Sequence, residues 1–205
     1  MERTMSSVNV EDYSIQDDLG WIRHGDLLLF RAGGWFSSRA IALAGRGKYS
    51  HAAMFAWWGK TPLVLEVREW KGGRAVTLAS QVKRYPGRIE VFGIRKEFDQ
   101  PFGSTREKYN RFAAVQAMLS MAGCDYGWHH LWLTAIRHLP VLRWFAKPIT
   151  EDEARTRPPY CSEGLAIAAC RGGQDPVPEL ANRLTEPNDL ARSLLYESSG
   201  RLLVP

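Results

Sequence analysis

Cys161 follows Pro158-Pro159-Tyr160 and heads an apolar segment, SEGLAIAAC, that reads as a helix closed by Gly172-Gly173. The prolines favour an extended approach to the helix. The N–H groups of its first turn then lack intrahelical acceptors, and the helix dipole adds positive charge there. Such a position with a histidine partner can bring a cysteine thiol from about 8.5 down to roughly 3.5–7.5, which makes a nucleophile at neutral pH. Taken alone, however, Cys161 reads more readily as a small buried apolar residue.

The histidine to ask about is His51, which opens the apolar run HAAMFAWW. An imidazole facing a core needs a partner for each ring nitrogen. That run, a turn at Gly59-Lys60 and LVLEVREW read together as a β-hairpin. Pairing Trp58 with Thr61 places Glu66 opposite Ala53 and diagonal to His51 on one face. Glu69, an odd number of residues further on, points to the other face. A nucleophile at a helix N-terminus, a base on a strand and a carboxylate fixing its tautomer are the parts of a thiol acyl-transfer site. They give Cys161 as nucleophile, His51 as general base and Glu66 as the residue that orients it. Tyr160 and Ser50 flank the pair and suit either a site lining or plain packing.

The elements that must position these groups follow from period and punctuation. Residues 1–20 read as a flexible arm, and 21–205 as a single domain. Gly25-Asp26 introduces a buried strand, LLLF; Ser37 or Ser38 caps a short helix through Ala44; RIEVFGIR forms a strand after the Tyr85-Pro86-Gly87 turn. The chain then turns helical. Ser104 and Glu107 make a capping box for a helix to about Ala122, ended by Gly123. Residues 128–146, WHHLWLTAIRHLPVLRWFA, are aromatic, basic and broken by Pro140. After the linker EDEARTRPPY and the Cys161 helix comes a last short helix around Asp189 to Glu197 and an apolar tail. The fold class expected is α+β.

At 205 residues, 45% hydrophobic and 24% charged, the chain is long enough for one sizeable core. The net charge of +5 favours acidic surfaces such as anionic lipid, cell-wall polymer or nucleic acid, but does not choose between them. Basic residues are scattered, which argues against nucleic acid. Cys124, Cys161 and Cys170 cannot all be paired, and with His129, His130 and His138 they lack the spacing of a zinc site, so no metal is expected. GRGKYS lacks the earlier glycine of a phosphate loop, since that position holds Ala42. The polar, acidic start is unlike a signal peptide, and no apolar run is long enough to span a bilayer. A cytoplasmic protein is expected, or one released to act on an envelope.

In order, GDLLLF, YSHAAMF, VLEVREW, the helix ending near Gly123-Cys124-Asp125-Tyr126, YCSEGLA and EPNDLARSLL resemble the circularly permuted papain-like hydrolases. These are the NlpC-type proteins of the YiiX kind, distant relatives of lecithin retinol acyltransferase. The likeness covers about residues 21–196. In that permuted group the histidine strand comes first and the cysteine helix late, as here. The resemblance implies a small antiparallel sheet or barrel packed against helices, one of them carrying the nucleophile. It also implies a Cys161–His51–Glu66 triad without a cofactor. Gly164 and Ala166 stand where the family more often has bulkier residues, and the aromatic insertion at 128–147 is long.

The activity this implies is cleavage of an amide, ester or thioester bond in a cell-wall peptide or lipid-linked substrate, as a hydrolase or acyltransferase. Trp128, Trp132, Trp144 and Phe145 with Arg137, Arg143 and Lys147 suit a peripheral membrane surface, and suit a core as well. The rival from another class is a catalytically silent module of the same fold that binds a wall fragment or lipid.

Overall fold

Four stretches, LLLFR, YSHAAMFAWW, TPLVLEVR and IEVFGI, are apolar nearly without interruption, as expected of strands covered on both faces. A computed structural model of the protein describes residues 12–14, 18–33, 47–85, 88–99, 108–127 and 158–203. In it these stretches are β2 (Leu27–Arg31), β3 (Tyr49–Trp58), β4 (Thr61–Arg68) and β6 (Ile89–Ile94). With β1 (Asp12–Ser14), β5 (Gly72–Thr77) and β7 (Tyr196–Leu203) they form one sheet, ordered β1-β7-β6-β2-β3-β4-β5. Every neighbouring pair is antiparallel except β1 and β7.

One face of the sheet, presenting Leu27, Leu29, Met54, Leu65 and Phe92, packs against α2 (Arg111–Ser120), α3 (Cys161–Arg171) and α4 (Pro187–Arg192). The other, presenting Leu28, Phe30, Phe55, Val64 and Val91, is covered by Leu78 and Val82 of α1 (Leu78–Arg84). Helices as short as α1 and α4 are marginal in water on their own. Buried side chains such as Leu28, Phe55 and Leu78 contribute on the order of 1.5–3 kcal/mol each, so docking on the sheet holds them in place. Among the described residues no helix is long and apolar enough to cross a membrane.

Several expectations are corrected. The arm read over residues 1–20 includes strand β1, which pairs with β7, and Leu19 is buried. The helix read from the Ser104 capping box is described from Arg111, and its cap is Asn110, whose side chain accepts from Ala113 N–H. Ser104 and Glu107 lie outside the described residues, as do the helix at 37–44 and the insertion at 128–147. The last helix runs only from Pro187 to Arg192, and the supposed tail is β7, which fills the sheet between β1 and β6. Strand β5 and helix α1 were not expected.

Candidate active site

Cys161 is the first residue of α3 and 4% exposed. The first helical bond back along the chain is Gly164 N–H to Tyr160 C=O, so the Cys161 N–H stands ahead of the intrahelical ladder. Glu163 accepts from Tyr160 N–H at 3.3 Å and fixes the entry into the helix. Val67, Tyr126 and Tyr160 pack around the thiol. A Cβ on Gly164 would lie 3.3 Å from both Met121 Sδ and Val67 Cγ2. A bulky residue would not fit there, which accounts for the small residue at this point of the helix.

The β3–β4 hairpin has the expected register, Trp58 facing Thr61 through to Met54 facing Leu65. The ladder stops there although β3 continues back to Tyr49 and β4 on to Arg68. On its other side β3 faces β2 with His51 opposite Phe30 and Tyr49 opposite Arg31, which leaves Ser50 as the extra residue of a bulge. Bulges bend a strand and re-aim its side chains. Here the bulge adjoins His51, at the end where β3 and β4 no longer pair and α3 approaches.

His51 Nε2 lies 2.6 Å from Glu66 Oε2. The Cys161 side chain lies near enough to His51 to favour its charged form, while Nε2 is engaged by Glu66. Glu66 is 1% exposed and held from every side. Arg74 donates from Nε and Nη2 to Oε1 at 2.9 and 2.5 Å, and Gln81 from α1 donates to the same oxygen at 3.2 Å. Arg68 donates to Oε2 at 3.3 Å. A buried carboxylate is tolerable only when paired and hydrogen-bonded in this manner.

The electrostatics follow from these contacts. Burial works against a charged imidazole at His51, but the hydrogen bonds and charges of Cys161 and Glu66 outweigh it and raise its pKa to about 9. Burial likewise disfavours a Glu66 carboxylate. The hydrogen bond and charge of His51, with Arg68 and Arg74, outweigh it and lower the pKa to about 2. The arrangement therefore favours an imidazolium beside a fixed carboxylate, with Cys161 nearby.

The structure places His51 against Glu66, with the head of the Cys161 helix beside them. Ser50 is the bulge residue and is 8% exposed. Tyr160 is 1% exposed, with its hydroxyl 2.9 Å and 3.0 Å from the carbonyls of Arg183 and Thr185, so it works as a tether beside the cysteine. Four contributors were missed, one of them Arg68, two residues beyond Glu66 on β4. Arg74 faces Glu66 directly across β4 and β5, and reading Gly72-Gly73 as the start of a returning strand would have exposed it. Gln81 sits on the unexpected α1. Tyr126 packs beside Cys161, and burial first, then the neighbouring Cys161 and Glu69, keep its hydroxyl protonated well above the usual tyrosine range.

No family model matches the chain, and no curated protein matches it. Among solved structures it is similar to the crystal structure of metalloprotein yiiX from Escherichia coli O157:H7, of DUF1105. The TM-score is 0.59 at 17% identity, over 89% of this chain and 98% of that one. At that identity the likeness is one of fold, a YiiX-like α+β arrangement.

Proposed function

We propose that this protein, with its YiiX-like fold, is a papain-like cysteine hydrolase or acyltransferase of circularly permuted topology, acting through Cys161, His51 and Glu66. The observation that carries the reading is His51 lying between a thiol at a helix N-terminus and a carboxylate clamped by Arg74. The Cys161 thiolate attacks the substrate carbonyl; a C–S bond forms and the carbonyl electron pair moves to oxygen, facing the Cys161 N–H. Imidazolium His51 gives its proton to the departing nitrogen, oxygen or sulfur as that bond breaks. Water, deprotonated by His51, or another acceptor then releases the acyl group. Glu66 stays ionised and holds the ring in one orientation.

The yiiX protein is a metalloprotein, which raises the question of a metal here. Among the described residues no three His, Cys, Asp or Glu side chains are grouped to hold one, and both Glu66 oxygens are engaged by Arg74, Gln81, Arg68 and His51. The residues do not fit a metal at this site, and no step runs through one.

The substrate class we propose, from the family resemblance, is a cell-wall peptide or lipid-linked amide, ester or thioester. Peripheral membrane contact through 128–147 belongs to the same proposal. Liposome co-sedimentation unchanged by replacing Trp128, Trp132 and Trp144 would overturn that contact. The test of the enzyme is iodoacetamide labelling of each cysteine against pH, read by peptide mass spectrometry in wild type and His51→Ala, followed by intact-mass detection of an acyl adduct. Fast labelling of Cys161 below pH 7, lost in His51→Ala, and an adduct absent in Cys161→Ala are expected. Slow labelling without a His51 effect, together with ligand binding that survives in Cys161→Ala, would leave the silent binding module in its place.

A further inference from the structure

The β3 backbone just before His51 ends without a strand on its β4 side. Lys48 C=O accepts from Ala32 N–H on the β2 side, so by strand alternation the N–H and C=O of Tyr49 face the opposite side, where the β4 ladder has already stopped. Both groups are taken by one side chain, Asn188 of α4. Tyr49 N–H donates to Asn188 Oδ1, and Asn188 Nδ2 donates to Tyr49 C=O, each at 3.1 Å. The amide thus offers the donor and acceptor that a further strand would have supplied, and the two bonds fix which way it points. Asn188 is 3% exposed and lies so close to Gly47 that a Cβ there would sit 2.1 Å from Oδ1.

The other end of the same segment grips the residues on either side of Cys161. Thr185 C=O accepts from Ser162 Oγ at 2.7 Å and lies 3.0 Å from Tyr160 Oη. Glu186 and Pro187 alone separate Thr185 from Asn188, and Glu186 N–H is fixed by Asp189 at 2.9 Å. A short, capped stretch of chain therefore spans from the neighbours of Cys161 to the bulged strand that carries His51.

We propose that Thr185–Asn188 is a strap that sets the separation of Cys161 and His51, with Asn188 as a positioning residue acting through the Tyr49 backbone. The inference rests on the thiol-enzyme reading above. Releasing Asn188 lets the Ser50 bulge relax, so that His51 no longer holds its place against the sulfur while its bond to Glu66 survives.

The experiment is the pH profile of Cys161 alkylation in Asn188→Ala, compared with wild type, His51→Ala and the remote core variant Val91→Ala. Asn188→Ala is expected to lose about tenfold in rate at pH 6, approaching His51→Ala, with the profile displaced to higher pH, while Val91→Ala keeps the wild-type profile. Ser162→Ala releases the other end of the strap and is expected to shift the profile the same way; it carries the test if Asn188→Ala does not fold. A wild-type profile in both variants, or an equal shift in Val91→Ala, overturns the strap. Wild-type Cys161 that labels no faster than Cys170 and ignores His51 overturns the enzyme reading, and the strap with it.

Discussion

Arg74 holds Glu66 Oε1 through both Nε and Nη2, and so leaves Oε2 to face His51. The pair is directly opposed across β4 and β5, so the sheet itself, and not a long flexible approach, fixes the carboxylate plane. The carboxylate beside His51 is thus itself held by an arginine.

Replacing Glu66 by Gln leaves Arg74 without its anion in a largely closed site. Breaking a buried pair in this way costs roughly 3–5 kcal/mol. Because the Arg74 side chain keeps 22% exposure, the lower end is expected. Urea unfolding at pH 7 measures it, and Cys161 labelling falls in the same variant as His51 loses its fixed ring. A loss below about 1 kcal/mol, the range of a surface pair, would mean that water reaches the site.

The pH dependence of stability follows from the two shifted groups. His51 is raised from 6.5 to about 9, so its contribution is full below 6.5 and is lost as pH rises through 9. Glu66 is lowered from 4.5 to about 2, so its contribution is full above 4.5 and is lost as pH falls through 2. Their combined effect is greatest between pH 4.5 and 6.5. Urea midpoints measured at pH 3, 5.5 and 9 are expected to peak at 5.5, and His51→Ala is expected to flatten the alkaline side. An alkaline decline identical in the variant would place its origin elsewhere.

Tyr126→Phe removes a buried hydroxyl beside Cys161. A hydroxyl that donates to a neighbouring sulfur contributes about 0.5–1.5 kcal/mol, so Cys161 labelling at pH 6 is expected to slow by roughly two- to tenfold in this variant. Labelling at the wild-type rate would show that the hydroxyl does not stabilise the sulfur.

At Gly164 two effects oppose each other. Alanine gains about 1 kcal/mol of helix propensity but meets Met121 and Val67, so Gly164→Ala is expected to be near neutral as the flexible methionine gives way. Valine adds two further carbons against the Val67 strand, and Gly164→Val is expected to lower stability by about 1–3 kcal/mol in thermal or urea unfolding. A stable valine variant would mean that α3 can move away from β4.

Some of this was legible because it depends on short-range regularities. The Gly59-Lys60 turn and the period of two fix the β3–β4 register, and that register alone puts Glu66 on the His51 face. Pro158-Pro159 and Gly172 mark the ends of the Cys161 helix for equally local reasons. The Ser104 capping signal gave a less accurate start, because Asn110 caps the described helix and its main-chain N–H is tied to Gly172 C=O, a contact between distant segments.

The sequence by itself determined an α+β chain, the hairpin carrying His51 and Glu66, and a cysteine at the head of a helix. Only the tertiary structure decided that they meet: where the β3–β4 ladder stops, the Ser50 bulge that re-aims β3, the Arg74 and Gln81 hold on Glu66, and Asn188 standing in for a missing strand. The physical reason is separation along the chain. Tyr49 and Asn188 are 139 residues apart, and no period or turn signal reports a hydrogen bond over that distance.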